Sequence, residues 1–241
     1  MVVAAAGRGE RLTAVRGQEG AGAGAGGAPK QFLPLAGVPL LLRAVRPFLT
    51  HARVAQVVAV LPPSAATSPP EWLKELIGDR LRITAGGATR TESVAAGVRV
   101  LSPECSIVLV HDGARPFPDP EVISAVIDVA SGGNGAAAAI PVADTLKHTG
   151  GPETGVLPQV SRTVPRDGLW RAQTPQGFPR AMLETALSAA FAHGWSATDD
   201  SELVERTGGK VVLVRDAVTN LKITTPDDFR IAEALARSLA P

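Results

Sequence analysis

Of 241 residues, 45% are hydrophobic and 20% charged, enough apolar surface for a sizeable core without disulfides or structural metals, which excludes disorder of the whole chain. Twenty-four Lys and Arg against 23 Asp and Glu leave a net charge of +1, so no global field draws nucleic acid or anionic lipid, and anion recognition must be local. The single Cys105 rules out a disulfide framework or a multi-cysteine metal site and reads as a small packed side chain. No uncharged apolar run reaches the roughly 18 residues of a membrane span, and Met1 to Arg8 lacks the basic leader of a secretory signal, so a cytoplasmic location is expected.

Short apolar, β-branched runs alternate along the chain with helix-length periodic segments, the pattern of βαβ units and a mostly parallel sheet in one domain. Strands are expected at Val2 to Ala5, Val54 to Leu61, Leu81 to Thr84, Ser106 to His111, Ala136 to Val142, Lys210 to Val214 and Leu221 to Ile223. Between the first two, Gly17 to Gly27 holds six glycines in eleven residues and reads as a flexible loop, since it gains too little burial to offset its ordering entropy. Pro39 to Leu49 has helical spacing. Thr89-Arg90-Thr91-Glu92 is a capping box that starts a helix directly after Gly86-Gly87, and Asp119-Pro120-Glu121 and Thr225-Pro226-Asp227 open two more. Ala143 to Arg166, rich in Gly, Pro, Thr and Val, breaks the alternation and reads as a β-hairpin arm projecting from the sheet rather than a second domain.

The first strand delivers Gly7-Arg8-Gly9-Glu10-Arg11-Leu12 at its carboxyl end, where open α/β sheets bind ligands. It lacks the third glycine of a dinucleotide fingerprint, and no P-loop exists in the chain. The loop gains meaning from Arg11 and from Pro29-Lys30-Gln31 beyond it, because two cations flanking a glycine-rich loop can surround a triphosphate approached by backbone N–H groups. Five lysines accompany nineteen arginines, and three of them, Lys30, Lys147 and Lys222, fall in segments that carry motifs. Transfer from such a triphosphate to an anionic acceptor would bring two anions together, so its catalysis would be mainly positioning and charge neutralisation. A compact ammonium suits a single phosphoryl oxygen in a crowded site. Lys30 and Lys222 are therefore assigned to the reacting phosphoryl group and Arg11 to the triphosphate, while Lys147 stays open.

The loop with Pro29-Lys30-Gln31 resembles the signature of nucleotidyltransferases. Six further motifs follow in order: Gly86 to Val94, His111-Asp112-Gly113-Ala114-Arg115-Pro116, Pro141 to Lys147, Thr174-Pro175-Gln176, Ala197 to Asp200 and Asn220-Leu221-Lys222-Ile223-Thr224. Together they resemble the 2-C-methyl-D-erythritol 4-phosphate cytidylyltransferase family over nearly the whole chain. The departures are Ala4 where the family usually has proline, Gly113 where it has alanine, Ala88 where an acid is common, and the long Gly/Ala insertion between Arg11 and Lys30.

The resemblance implies a Rossmann-like nucleotidyltransferase fold and transfer of a cytidylyl group from CTP to methylerythritol phosphate, with release of pyrophosphate. It places the base near Ala5, Ala6, Gly7, Gly87 and Ser93, and the acceptor near Asp112, Arg115 and Thr174. It also implies Thr145 and Arg166, reached from the arm of a partner in a homodimer through residues 143–166. Magnesium is implied through the CTP phosphates; Asp112 either accepts hydrogen bonds from acceptor hydroxyls or helps hold the metal. His111 reads as a strand-end histidine satisfied by backbone rather than a base. Asp199, Asp200 and Glu202 read as an acidic helix start. Two rivals stand: a related transferase for another polyol or sugar phosphate, and a nucleotide-binding protein without catalysis.

Overall fold

The computed structural model describes residues 1–7, 29–150 and 157–239; Arg11 and the Gly17 to Gly27 segment lie outside them. The short apolar runs form β1 (Val2–Ala4), β4 (Val57–Leu61), β5 (Leu81–Ala85), β6 (Ile107–Asp112), β7 (Gly135–Pro141) and β11 (Val211–Arg215). With β10 (Trp170–Pro179) they make a seven-stranded sheet in the order β11-β7-β10-β6-β1-β4-β5. All neighbours pair parallel except β10, which runs antiparallel to both β6 and β7. Two short strands, β2 (Pro34–Leu35) and β3 (Val38–Pro39), form a separate hairpin.

Alternation along the central strands sends successive side chains to opposite faces. Val2, Val58, Val60, Val108 and Val110 pack on one side with Val94 and Val98 of α4 (Arg90–Val100) and Leu183 and Leu187 of α6 (Arg180–His193). Val3, Val57, Ala59 and Leu61 pack on the other with Leu41, Val45 and Phe48 of α1 (Leu40–Thr50) and Ile123 and Val126 of α5 (Pro120–Ser131). Two short helices, α2 (Pro63–Thr67) and α3 (Glu71–Lys74), lie between β4 and β5. Both sheet faces are thus covered, as a mostly parallel sheet requires.

The caps form as their residue types dictate. Thr89 and Glu92 close a reciprocal capping box on α4, Asp119 caps α5 with Pro120 in its first turn, and Thr225 with Asp228 closes a second box on α8 (Pro226–Ser238). Asp199 caps α7 (Asp200–Arg206) by accepting from the Glu202 N–H.

Two expectations need correction. Leu221 to Ile223 is not a strand: the Ile223 N–H donates to the Ala114 carbonyl at 2.9 Å and its own carbonyl accepts from Lys30 Nζ at 2.6 Å, so its polar groups pair with loops rather than with a ladder. Conversely, β10 is absent from the expected strands, because its buried positions include Gln173, Thr174 and Gln176 and its pairing to β7 shifts register between Ala172 and Gln176. In the 143–166 segment, β8 (Leu146–His148) pairs antiparallel with β9 (Arg162–Val164) as a two-stranded sheet of its own. Lys147, whose role the sequence leaves open, donates from Nζ to Thr163 Oγ1 directly across this pair at 2.8 Å.

Candidate active site

Three loops leave the carboxyl ends of β6, β1 and β5, the last separated from β1 by β4, and meet. Ala5 to Gly7 follows β1, Gly86 to Thr89 follows β5, and Gly113 to Arg115 follows β6; with Lys30 and Lys222 they enclose a cleft of about 260 Å³. Gly86 sets the approach of the first two, since a Cβ there would fall 2.4 Å from Ala6 Cβ and 2.7 Å from Ser93 Oγ. The Gly87 N–H donates to Ser93 Oγ at 3.2 Å, and the Ser93 hydroxyl donates to the Thr89 carbonyl at 2.9 Å. The slot wall is therefore mostly backbone, small side chains and one buried hydroxyl.

A second cavity of about 160 Å³ adjoins the first and shares Arg90, Asp112 and Lys222 with it, adding Arg115, Thr174 and Gln176. Asp112 lies between them. Its Oδ2 is 2.9 Å from Lys222 Nζ and 3.6 Å from Arg115 Nε, and its Oδ1 is 3.6 Å from Arg90 Nη2. Burial alone would raise the Asp112 pKa; Lys222, then Arg90 and Arg115, outweigh it and hold the carboxyl well below its usual range. Asp112 is thus a fixed anion under three cations.

Thr174 is buried, and its hydroxyl accepts from the Asp112 N–H at 3.0 Å while lying 3.0 Å from His111 Nδ1. The other ring nitrogen, Nε2, is 2.9 Å from the Arg115 carbonyl. This network fits one neutral tautomer, with Nε2–H donating and Nδ1 accepting. Burial lowers the His111 pKa to about 4, and the ring serves to hold Asp112 and Arg115 in register. Arg115 in turn donates from Nη1 to the Asn220 carbonyl at 2.6 Å, which fixes the segment bearing Lys222.

The expected residues therefore separate into groups. Ala5, Ala6, Gly7, Gly87, Ser93, Lys30, Asp112 and Lys222 line the larger cleft; Arg115 and Thr174 line the smaller. Thr145 and Arg166 are exposed and line neither, Arg166 donating instead to the Ala143 carbonyl. Arg11 is outside the described residues. Sequence reasoning misses Arg90, which borders both cavities, although it stands inside the capping-box motif. It also misses Gln31 at the larger cleft, whose buried side-chain Nε2 has no hydrogen-bond partner among the described residues. A larger hollow of about 570 Å³ opens at the amino ends of the strands beside Met1, Gln56 and half-buried Cys105. Its size does not make it the site, because none of the motif loops reaches it.

With this geometry in place, comparison with known proteins is decisive. A family model described as 2-C-methyl-D-erythritol 4-phosphate cytidylyltransferase matches residues 1–238. The chain belongs to this family. It is 36% identical to the 2-C-methyl-D-erythritol 4-phosphate cytidylyltransferase of Solibacter usitatus over 100% of the chain and 96% of the relative. It is 39% identical to that of Ralstonia nicotianae over 97% and 94%. Among solved structures, the cytidylyltransferase of Thermus thermophilus superposes with a TM-score of 0.76 at 35% identity, covering 98% of each chain. The sheet-and-helix architecture of that solved structure is the one described above.

Proposed function

We propose that the protein transfers the cytidylyl group of CTP to 2-C-methyl-D-erythritol 4-phosphate, forming 4-diphosphocytidyl-2-C-methyl-D-erythritol and pyrophosphate in isoprenoid precursor synthesis. One observation carries this reading: within the family match over residues 1–238, the described residues of the first loop with Lys30-Gln31 and of every further motif except Pro141 to Lys147 border one pair of adjoining cavities. The pyrimidine takes the narrow slot between Ala5 to Gly7 and Gly87 to Ser93, and the acceptor takes the side of Asp112, Arg115 and Thr174. An oxygen of the acceptor phosphate attacks the α-phosphorus; a P–O bond forms, the bond from the α-phosphorus to the bridging oxygen breaks, and its electron pair leaves with pyrophosphate. The attacking oxygen is already ionised, so no general base is needed, and His111, buried and hydrogen-bonded on both ring nitrogens, supplies none.

Lys30 and Lys222 neutralise the reacting phosphoryl group. Lys30 Nζ is held by the Ile223 carbonyl at 2.6 Å, next to Lys222 in the chain, so a cation from each side of the cleft is tied to one short segment. Arg11 is assigned to the triphosphate. Magnesium enters with the CTP phosphates, where it would screen their charge. The donor set of the protein fits poorly with direct ligation: both Asp112 oxygens face cations, and no group of three or more metal-ligating side chains occurs among the described residues.

A homodimer that shares sites through the 143–166 arm accounts for Thr145 and Arg166, which lie outside the cavities of their own chain. Exposed Leu157 and Val160 on the same segment supply apolar surface for such a contact. The cytoplasmic location expected from the sequence belongs to the same reading, and no helix among the described residues is long and apolar enough to cross a membrane. The test is pyrophosphate release from CTP with a panel of polyol and sugar phosphates. Turnover selective for methylerythritol phosphate is expected; preference for another acceptor, or tight CTP binding without turnover, would overturn the assignment.

A further inference from the structure

Asp200 is fully buried at the first position of α7, yet it carries an ionisable group that the reaction does not touch. Its Oδ2 lies 2.6 Å from Arg90 Nη1. Arg90 is the first residue of α4, immediately after the capping threonine of the nucleotide loop, and its other terminal nitrogen is 3.6 Å from Asp112 Oδ1. A single guanidinium thus links the nucleotide loop, the end of β6 and the start of α7. Because the fork is rigid and planar, a carboxylate held at one edge fixes how the other edge is presented. Asp200 cannot retreat: Gln176 Oε1 accepts from the N–H groups of Asp200 and Ser201 at 3.2 and 3.1 Å, and the Gln176 amide donates to Asp199 at 2.8 Å, anchoring this turn to β10. Stability alone gives little reason for a buried ion pair, since apolar packing does as well or better.

We propose, building on the cytidylyltransferase reading above, that Asp200 is a positioning residue which, through Arg90, sets the carboxylate of Asp112 and so ties the acceptor pocket to the nucleotide loop. While Asp200 holds Arg90, the guanidinium stays at 3.6 Å from Asp112 and leaves Lys222 as the nearer partner at 2.9 Å. Without that restraint Arg90 closes on Asp112, displaces Lys222 from it and turns the carboxylate. The loss then falls on the aligned transfer step rather than on CTP binding.

The test compares Asp200→Asn, nearly isosteric but uncharged, with Arg90→Lys, which keeps the charge but loses the second nitrogen, and with the double variant. Each single change is expected to lower kcat by roughly tenfold to a hundredfold, the scale of a small misplacement of reacting groups. The KM for CTP should stay within about threefold. The double variant should lose no more than the worse single one, because both break the same link. An unchanged kcat, a loss confined to the KM for CTP, or a double-variant loss equal to the product of the single losses would each overturn the proposal. If Asp200→Asn does not fold, Arg90→Lys with an intact melting transition decides on the same kcat and KM criteria. A wild type that releases no pyrophosphate from CTP and methylerythritol phosphate overturns the proposed function and this inference together; an active wild type with unaffected variants overturns the inference alone.

Discussion

Lys30 shows how much of the site depends on single atoms: one ammonium bridges, through the Ile223 carbonyl, to the segment of Lys222. Lys30→Ala is expected to lower turnover by about a hundredfold or more, the scale for removing one preorganised transition-state donor, with its melting temperature nearly unchanged. Steady-state kinetics beside a melting curve checks both halves of that statement. Gly86→Ala acts differently, because the added methyl meets Ala6 Cβ at 2.4 Å and Ser93 Oγ at 2.7 Å, short side chains with nowhere to swing. Overpacking of this kind costs about 1–3 kcal/mol, and we expect it as a loss of CTP affinity of about tenfold, measurable by calorimetry, with kcat at saturation less affected. His111 predicts a pH dependence of stability. Its folded pKa of about 4 lies below the 6.5 of a free imidazole, so between these values the unfolded chain binds the extra proton and stability falls as pH falls. The contribution is about 3 kcal/mol, fully present above pH 6.5 and lost by pH 4. Asp112, also depressed, loses its contribution only below its unfolded value of 3.8, whereas the raised Asp200 acts in the opposite sense above 3.8. Denaturant titrations of wild type and His111→Gln across this range isolate the ring: the variant should show a flatter slope, and parallel slopes would refute the assignment.

At the level of elements, the arm makes the sharpest prediction. Thr145→Ala and Arg166→Ala should raise the acceptor KM far more than that of CTP, because both lie on the arm proposed to reach a partner's acceptor pocket and neither lies in the nucleotide loops or borders the cavities of its own chain. Mixing an arm variant with a Lys30 variant should restore activity if sites are shared, since one hybrid site then has both halves intact. No recovery despite demonstrated subunit exchange would count against a shared site. The elements also show where sequence reading succeeds. The strands β1, β4, β5, β6, β7 and β11 are legible because runs such as Val57–Leu61 are uniformly buried, and the starts of α4, α5 and α8 because their caps are local chemistry. Strand β10 is not, since Gln173, Thr174 and Gln176 face polar partners inside the fold and leave no apolar signature. The same limit applies to the site. Lys30, Asp112 and Lys222 stand in motifs, but Arg90 gains its meaning from Asp200, 110 positions away, and no local pattern marks that pairing.

In the molecule as a whole, CTP binding couples to global stability, because the slot exists only when β1, β5 and β6 are assembled in one sheet. At a hundredfold excess over its dissociation constant, CTP should stabilise the fold by about 2.7 kcal/mol, a rise of several degrees in melting temperature for a chain of this size. A Gly86→Ala protein should show a smaller rise at the same concentration; an equal one would place the nucleotide elsewhere. The position of β10 has a further consequence, in time rather than in space. β6 and β7 follow one another in the chain but are not neighbours: β10 inserts between them and pairs with both. As the polypeptide leaves the ribosome, these two strands are complete well before the strand that joins them, so the nascent sheet has an open slot with two unpaired edges. Unpaired edges invite pairing with other chains. Lys222 emerges later still, and the cation cluster around Asp112 is completed only when almost the entire chain has been made.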